Sequence, residues 1–492
     1  MADDEGRRQH IHSSHHFLVV TYGAQGHVNP GRALARRLTQ LGVDGSAALA
    51  TLSVPVSTHR RMFPSLDEDM ETTDGVISYA PHSDGVDDGS LDAIDAEDRA
   101  RRRRASSESL SAIVARLADR GRPVTYIVCG MVLPHVLDVA REHGIPLAIY
   151  WIQPATALAV SYHYFHGYDE LINSHAIDPA YKVCLPGLSR PLRIGNFPAF
   201  LIDRSGTEMA EAIYDMFREF FEYIDQWRPK VLVSTFNELE ANALMEMKQH
   251  LDMFVIGTMV GSSTEERIHL FKHGDAEKKR YMDWLGAQLD RPVVYVSFGS
   301  ISKLTKKQMD EITRGLKQCG RPYLLVLRSD GLEDDDDDSH SLQNNAHIQG
   351  MVVDWCNQLE VLSHPAVGCF ISHCGWNSTI EAVASGVPII GVPHRFDQPT
   401  NVYLVEEEWG VGVRGERNSD GVLTGAELAR CIGLVMDEGK KAMAIRERAR
   451  ALKELAQAAG RSIGGSSERD LLDFVMTIKA HDTVNTAPCH DQ

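Results

Sequence analysis

The chain has 492 residues, of which 43% are hydrophobic and 24% are charged, and its formal net charge is -18. This length exceeds what a single hydrophobic core supports, so we expect about two or three domains of a globular enzyme. The acidic charge argues against a nucleic-acid partner, because proteins that bind nucleic acids are usually basic.

The N-terminal residues 1–15 are polar and contain no apolar segment, so they predict a disordered tail and no signal peptide. None of the eight cysteines belongs to a C-x-x-C pair, which indicates reduced thiols in a reducing compartment. The sequence has no run of about 18 apolar residues, so no membrane span is predicted. We therefore expect a cytoplasmic protein, and we expect it to act as a monomer.

Strands and helices alternate along the first half of the chain. The segment HFLVVTYGAQGHVNPGRALARRLTQLG predicts a strand, a Gly-rich loop and a helix, with Pro30 near the helix start. The same alternation recurs at residues 124–130 and the segments that follow them, and again at 230–240. This pattern is typical of a parallel sheet covered by helices, and it predicts an N-terminal Rossmann-like domain over residues 16–255.

A second α/β cycle follows a stretch without clear periodicity at residues 256–279, which we interpret as a linker. The predicted fold is therefore α/β, with two facing Rossmann-like domains and a cleft between them. Residues 280–465 form the second domain, 466–482 a helix that packs across the domains, and 483–492 a tail. The predicted strands of the second domain lie at 292–300, 323–328, 347–355, 367–372 and 388–393, and a helix is predicted near 306–318.

Two runs of like charge have competing interpretations. The run RARRRR (99–104) could be a nuclear signal or a polyanion site, but its polar surroundings favour a solvated helical face. The run EDDDDD (333–338) contains the D-x-D spacing of some Mn²⁺-dependent enzymes, but consecutive aspartates repel one another and favour a solvated loop. No metal site is predicted.

The segment VGCFISHCGWNSTIEAVASG predicts a buried strand followed by a helix, with Asn377 and Ser378 as N-cap residues. A helix start after a parallel strand offers free N–H groups and a partial positive charge, which together form an anion site. His373 adds a donor, and Gly375 removes the Cβ that would obstruct a phosphate. A capped helix beside a buried Trp376 explains this segment equally well.

Polar and aromatic residues near this junction favour the anion site. Trp355 ends a predicted strand, where an indole can stack on a base. Glu381 lies one helical turn beyond Asn377, where a carboxylate suits ribose hydroxyls, and Ser300 can reach the same crevice from its own strand. Asp397 and Gln398 follow the next strand and can hold sugar hydroxyls. A base platform, a phosphate site, a ribose acid and a sugar pair together describe a nucleotide-sugar site.

The stretch from Trp355 to Gln398 has the pattern W-C-x-Q…HP-x-VGCF-x-x-HCGWNS-x-x-E…GVP…P-x-x-x-DQ. This pattern resembles the signature of plant secondary-metabolite glycosyltransferases (glycosyltransferase family 1), and the similarity extends to GAQGHVNP, WIQPAT and VVYVSFGS. The resemblance implies the GT-B fold, UDP-glucose as donor co-substrate with no cofactor or metal, and inverting transfer to a small-molecule acceptor. The W-C-x-Q start and Gly130 resemble the subgroup that makes glucose esters and anthocyanin 5-O-glucosides.

The resemblance also implies the donor-binding residues. Gln as the final residue is associated with glucose, whereas Arg395 stands where the family usually has an aromatic residue. The implied donor set is Ser300, Trp355, Cys356, Gln358, His373, Gly375, Trp376, Asn377, Ser378, Glu381, Asp397 and Gln398.

His27 follows the first strand, at the cleft-facing edge of the sheet, and the resemblance implies that it is the general base. The family's acid partner for this histidine falls at Gly130, and Asp138 lies two turns into the next helix. Three alternatives remain. Another residue or water orients His27, the enzyme is slow with ordinary alcohols, or the acceptor is an acid that is already ionised.

The acceptor wall is expected in the aromatic stretch 151–168, with Gln153, Tyr162, His163 and Phe165 as candidates. Core packing explains the aromatic residues equally well. Two alternative functions also remain open, namely a non-catalytic UDP-sugar-binding protein and a UDP-sugar epimerase or hydrolase on the same fold.

Overall fold

The computed structural model describes residues 15–41, 48–66, 70–88, 96–131, 133–259, 268, 270, 274–300, 304–328, 350–461 and 464–485. The strands in these ranges are β1 His16–Val20, β2 Leu49–Pro55, β3 Thr72–Thr73, β4 Ser78–His82, β5 Tyr126–Gly130, β6 Leu147–Trp151, β7 Lys182–Val183, β8 Leu192–Arg193, β9 Lys230–Val233, β10 Met253–Val255, β11 Val293–Ser297, β12 Tyr323–Val326, β13 Gly350–Val353, β14 Val367–Ser372, β15 Ile389–Gly391 and β16 Gly412–Arg414. The α-helices are α1 Gln25–Leu41, α2 Val56–Met62, α3 Ala96–Asp119, α4 Pro134–Glu142, α5 Ala155–His163, α6 Asp169–Ser174, α7 Ala199–Ile202, α8 Glu208–Trp227, α9 Ala241–Met247, α10 Asp275–Gly286, α11 Lys306–Cys319, α12 Gln358–Leu362, α13 Trp376–Ser385, α14 Gln398–Tyr403, α15 Gly425–Met436, α16 Lys440–Ala459 and α17 Ser466–Asn485.

The first sheet has the strand order β10-β9-β6-β5-β1-β2-β4-β3 among the described residues. All of its pairs are parallel except β3 with β4. Its central strands β1, β5 and β6 are buried along their whole length, as expected for strands covered by helices on both faces. Because the strands are parallel, the loops that follow them meet at one carboxyl edge.

The second sheet has the order β13-β12-β11-β14-β15-β16 over the residues described, and every pair in it is parallel. The two predicted Rossmann-like halves are therefore confirmed. The carboxyl edges of the two sheets face each other, since Trp376 after β14 bonds Ser234 after β9. Trp409 adds a second link, because its Nε1 donates to the Leu239 carbonyl at 3.1 Å.

The C-terminal helix α17 packs on the first sheet, where it contacts the edge strand β10 and the central strand β5. The Phe474 ring lies edge-on to Tyr126, with ring centroids 5.5 Å apart, and contacts Phe254 at 5.6 Å. An ion pair of 2.9 Å joins Arg37 of α1 to Glu468 of α17. None of the helices in the described ranges is both long and apolar enough to cross a membrane.

Several predicted boundaries need correction. Pro30 lies inside α1, which begins five residues earlier at Gln25. Helix α10 begins at Asp275, within the predicted linker, and α17 continues three residues past its predicted end. The tail residues 1–14 and 486–492, most of 260–273, and the run EDDDDD lie outside the described residues.

The arginine run 99–104 lies on α3, as the solvated-face interpretation predicts. Arg101 and Arg102 both pair with Asp98 one turn earlier on the same helix. Arg103 pairs with Asp138 of α4 and Glu219 of α8, so the run connects neighbouring helices at the surface.

Candidate active site

The loop between β14 and α13 forms an uncapped helix N-terminus. Helix α13 begins at Trp376 and its N-cap is Gly375, which has no side chain to bond the first turn. Asn377 and Ser378 therefore lie in the first turn, and their prediction as N-cap residues was wrong. The backbone N–H groups of the first turn have no partner within the helix, so they can bind an anion.

His373 sits between two glycines beside this helix start. A Cβ on Gly375 would lie 2.6 Å from His373 Nε2, and one on Gly299 would lie 2.6 Å from His373 Cε1. Gly375 thus makes room for the imidazole, whereas we had expected it to make room for the phosphate. Burial lowers the pKa of His373 to about 4, so the ring is neutral at pH 7. A neutral imidazole can donate one hydrogen bond to a phosphate oxygen.

The predicted ribose acid belongs to a buried hydrogen-bond network. Gln358 Nε2 donates to Glu381 Oε2 and to Ser378 Oγ, both at 2.9 Å. The Tyr295 hydroxyl donates to Gln358 Oε1 at 3.3 Å, which fixes the orientation of the amide. Gln358 is predicted to lie in the ribose region, and the structure places its amide on Glu381, the predicted ribose acid, where it orients the carboxylate.

The part of the predicted donor site that would bind the nucleotide base lies in the loops that follow β13 and β11. Trp355 follows β13 and is partly exposed, while the neighbouring Cys356 is buried, with its Sγ 3.3 Å from the Tyr295 hydroxyl. Ser300 follows β11 and is also partly exposed. Trp355 and Ser300 lie at the carboxyl edge of the second sheet, where the sequence predicts the nucleotide.

The predicted sugar pair is held from behind by Asn401, a residue that the sequence analysis missed. Asn401 is fully buried, and its Nδ2 donates to Asp397 Oδ2 at 2.7 Å and to the Cys374 carbonyl at 2.8 Å. Gln398 Oε1 accepts from the backbone N–H groups of His394 and Arg395 at 2.8 and 3.0 Å. These bonds leave the amide N–H groups of Gln398 for a ligand. A polar residue one helical turn after Asp397 was the available signal.

Lowering the pH through about 6 is expected to weaken use of the donor sugar, because burial raises the pKa of Asp397 to about 6. Above that pH we expect the carboxylate to accept hydrogen bonds from sugar hydroxyls, and below it we expect the protonated acid to lose much of that capacity. We expect kcat/KM for UDP-glucose to fall about tenfold per pH unit below about pH 6. Steady-state kinetics from about pH 5 to pH 8 measures this fall, which is the acid limb of the pH profile.

The matched variant is Asp397→Asn, which we expect to be slow and to lack the acid limb. His27 does not explain such a limb, because burial lowers the pKa of His27 to about 4 and the ring stays neutral over this range. A flat wild-type profile between about pH 5 and pH 7 would contradict the role given to Asp397.

Trp376 faces the opposite half of the protein with its indole. Its Nε1 donates to the Ser234 carbonyl at 2.8 Å, and the residue is 4% exposed. We had expected Trp376 to bind the sugar. The structure commits its side chain to packing between the halves, so only its backbone N–H remains for the donor.

His27 lies in the first turn of α1, at the carboxyl edge of the first sheet. Its backbone N–H donates to the Ala24 carbonyl at 2.8 Å, and the Tyr22 ring packs edge-on at 5.5 Å. Its Nδ1 atom is buried and has no hydrogen-bond partner among the described residues. His27 is therefore positioned as expected but is not oriented by an acid.

Gly130 stands where the resemblance places the acid partner of His27, which explains why His27 has no such partner there. It ends β5, the strand next to β1, so an acid here would lie beside the His27 loop. A Cβ at Gly130 would lie 3.2 Å from the Val20 carbonyl oxygen, a tight contact. Asp138 does not substitute, because it accepts two hydrogen bonds from Arg103, at 2.8 and 3.0 Å.

A hydrogen bond joins the His27 loop to the anion site. The Gly26 carbonyl accepts from Asn377 Nδ2 at 2.6 Å. In a regular helix this carbonyl would accept from the residue four positions later, which is Pro30 and has no N–H. The proline therefore leaves the Gly26 carbonyl available to the opposite half.

The predicted acceptor residues separate into two groups. Gln153 follows β6 at the carboxyl edge, with its Oε1 buried and without a partner in the part of the chain described. Tyr162, His163 and Phe165 do not line this edge, because α5 runs away from it for about 12 Å. Tyr162 stacks on His166, and Phe165 stacks on Phe221. The half-exposed Tyr22 beside His27 lies at the edge instead, and the sequence analysis missed it.

Comparison with known proteins agrees with this geometry. Residues 271–446 match the family described as "UDP-glucoronosyl and UDP-glucosyl transferase". The chain is 40% identical over 474 residues to UDP-glycosyltransferase 75C1 of Solanum lycopersicum, with 94% of this chain and 98% of the relative covered. It is 36% identical over 471 residues to anthocyanidin 3-O-glucoside 5-O-glucosyltransferase 1 of Perilla frutescens, with 93% and 97% covered.

The crystal structure of Os79 from O. sativa in complex with UDP is similar over 94% of this chain and 100% of that chain. Its TM-score is 0.76 and its sequence identity is 29%. The chain thus belongs to the UDP-glycosyltransferase family and is a glycosyltransferase with the two-Rossmann GT-B fold.

Proposed function

We propose that the enzyme transfers glucose from UDP-glucose, with inversion, to a hydroxyl or carboxylate of a small lipophilic plant metabolite. The observation that carries this proposal is the 2.6 Å bond from Asn377 to the Gly26 carbonyl, because it holds the open helix N-terminus beside His27. Glucose is favoured by Gln398 and by the name of the Perilla relative, a glucosyltransferase.

The anion site stabilises the leaving group in this proposal. The acceptor oxygen attacks the anomeric carbon, the bond from that carbon to the UDP oxygen breaks, and UDP leaves with the electron pair. The added negative charge falls on the diphosphate, which the first-turn N–H groups of α13 and the His373 ring face. Asp397 and Gln398 hold the sugar, and Asn401 supports Asp397 from behind.

His27 accepts the proton when the acceptor is a hydroxyl. It approaches from the first sheet, opposite the anion site, as inversion requires. Without a partner on Nδ1, however, His27 lacks the negative charge that would stabilise its protonated form. Its pKa of about 4 makes it a weak base for a phenol. A carboxylic acid is already ionised at neutral pH, so we propose carboxylates as the favoured acceptors.

Replacing Gly130 with aspartate is expected to raise the ratio of phenol to carboxylate glucosylation by at least about tenfold. The new carboxylate would lie beside the His27 loop and stabilise its protonated ring. Gly130→Asn is the matched control, because it has the same shape without the charge. Both variants share the close contact with Val20, so the steric cost is the same in both. An equal ratio in the two variants would count against a charge effect.

The function is tested by incubating the protein with UDP-glucose and a panel of phenols, flavonoids, terpenoid acids and hormone carboxylates. Products are identified by mass and then treated with mild alkali, which cleaves glucose esters and leaves ether-type glucosides intact. UDP release only with an acceptor identifies a transferase. Release without acceptor indicates a hydrolase, and binding without release indicates a sugar sensor.

We also propose a cytoplasmic location. The cysteines among the described residues are all free, and five of the seven are buried. Free thiols of this kind fit a reducing compartment. The proposal is tested by imaging the full chain with a fluorescent fusion partner, and a signal confined to an organelle would contradict it.

A further inference from the structure

Three side chains at the far end of α5 form a compact group that the glycosyltransferase activity does not use. His163 is the last residue of α5, Glu246 lies in α9, and His250 lies in the turn before β10. One ligand atom from each lies within 4.8 Å of the other two. His250 is beside the start of β9, because Arg228 donates to its carbonyl at 3.2 Å. The group is therefore at the edge opposite His27.

The hydrogen bonds of this group do not satisfy all three side chains. His250 Nε2 lies 3.1 Å from Glu246 Oε1, a hydrogen-bond distance. His163 Nε2 lies 3.6 Å from the same oxygen, too far for a hydrogen bond, and has no other partner among the described residues. His163 is only 6% exposed, so water does not readily solvate this nitrogen. A buried ring nitrogen without a partner is costly, and this one points at a carboxylate and a second imidazole.

The two spacings from Glu246 fit a tetrahedral zinc ion, and all three ligand atoms lie within 4.8 Å of one another. Zinc lies about 2.0–2.2 Å from histidine nitrogen and carboxylate oxygen, which places two tetrahedral ligands roughly 3.3–3.5 Å apart. The two distances to Glu246 Oε1, 3.1 and 3.6 Å, lie on either side of this value. Two imidazoles and one carboxylate form a ligand set that zinc commonly takes, with water in the fourth position.

Neighbouring residues support Glu246 and His250 from behind. Gln249 Nε2 donates to the second Glu246 oxygen at 3.3 Å, as outer partners of metal-binding carboxylates do. Gly187 has φ +76 and passes so close that a Cβ would lie 2.6 Å from Glu246 Cβ. The Tyr162 ring packs against the His250 ring with centroids 4.8 Å apart.

We propose that His163, Glu246 and His250 bind one Zn²⁺ ion that joins α5 to the turn between α9 and β10. The ion gives the His163 nitrogen its missing partner and leaves one position for water on the exposed side of His250. Its role is structural, because the site lies at the edge away from the reacting groups. The sequence shows no such motif, since the three residues are separated by 83 and 4 positions (163 to 246 to 250).

The test measures Zn²⁺ binding to the full chain by competition with a chromophoric chelator. His10 and His12 are replaced with glutamine in every sample, because the sequence HIHSSHH could bind zinc by itself. We expect one ion per chain, and about 100-fold weaker binding in His250→Gln and Glu246→Gln. At a hundredfold excess over the parent's Kd, Zn²⁺ should raise the Tm of the parent chain by a few degrees and that of both variants by much less.

A surface histidine elsewhere supplies the matched control. His143→Gln, at an exposed position after α4, should bind zinc as the parent does. Co²⁺ in place of Zn²⁺ should give the intense visible absorption of a tetrahedral site, and His250→Gln should abolish it. Equal zinc binding by His250→Gln and the parent overturns the proposal, as does a parent Kd weaker than about 100 μM.

Discussion

Replacing His27 with alanine is expected to lower kcat for a phenolic acceptor by about 10², the lower end of the range for a general base, while the Kd for UDP stays within about twofold. The loss would arise because His27 is the proposed proton acceptor, at the carboxyl edge of the first sheet. UDP binding should survive because the anion site belongs to the second sheet, and its hydrogen bond to this loop is made to the Gly26 carbonyl and not to His27. Stopped assays with product detection give kcat, and calorimetry gives the Kd.

The same variant separates the two acceptor classes. A carboxylate acceptor carries no proton to remove, so we expect its kcat to fall by less than about tenfold. His143→Ala, an exposed histidine after α4, is the control and should match the wild type with both acceptors. If the phenol rate of His27→Ala stayed within about threefold of the wild type, the proton would have to go elsewhere.

Replacing Gly375 with alanine is expected to weaken UDP-glucose binding by about ten- to a hundredfold. The new Cβ would lie 2.6 Å from His373 Nε2, so the imidazole must leave its place beside the diphosphate. Hydrogen bonds to charged groups contribute about 1.5–3 kcal/mol, which corresponds to this range of affinity. The backbone is not strained, because φ of Gly375 is −59° and alanine adopts that value readily.

A double-mutant cycle identifies the cause of that loss. If the imidazole is what the Cβ displaces, His373→Ala and the double variant with Gly375→Ala should bind UDP-glucose equally. Gly439→Ala is the matched control, since it begins a helix at φ −75° and has nothing within 4 Å. Additive losses in the cycle would show that Gly375 contributes independently of His373.

Local sequence patterns are enough to predict the parts of the site that come from one strand and the loop after it. The β14–α13 junction is recognisable because an apolar run passes directly into glycine and small polar residues. His27 is recognisable for the same reason, because the apolar run of β1 passes directly into the glycine-containing loop before it. Each of these predictions depends on residues within about a dozen positions, where strand and helix periods determine the geometry.

Contacts between distant parts of the chain could not be predicted in this way. The indole of Trp376 bonds Ser234, 142 positions away, so a residue expected to bind sugar serves the contact between the halves. Tyr162 and His163 carry the right chemistry for an acceptor wall, but the direction of α5 takes them to the wrong edge. The sequence of residues 151–168 does not give that direction. It follows from the parallel pairing of β6 with β9, because the chain must return to the opposite edge of the sheet between them.

Pro30 has a consequence for movement between the two halves. Because it supplies no N–H, the Gly26 carbonyl is bound by Asn377 of the opposite half. Gly26, the residue next to the proposed proton acceptor His27, and Asn377, in the first turn of α13, are thus held by the same 2.6 Å contact. Any opening of the cleft that separates acceptor from donor must first break this bond. A proline buried in the first helix thereby limits how far apart the two reactants can drift before transfer.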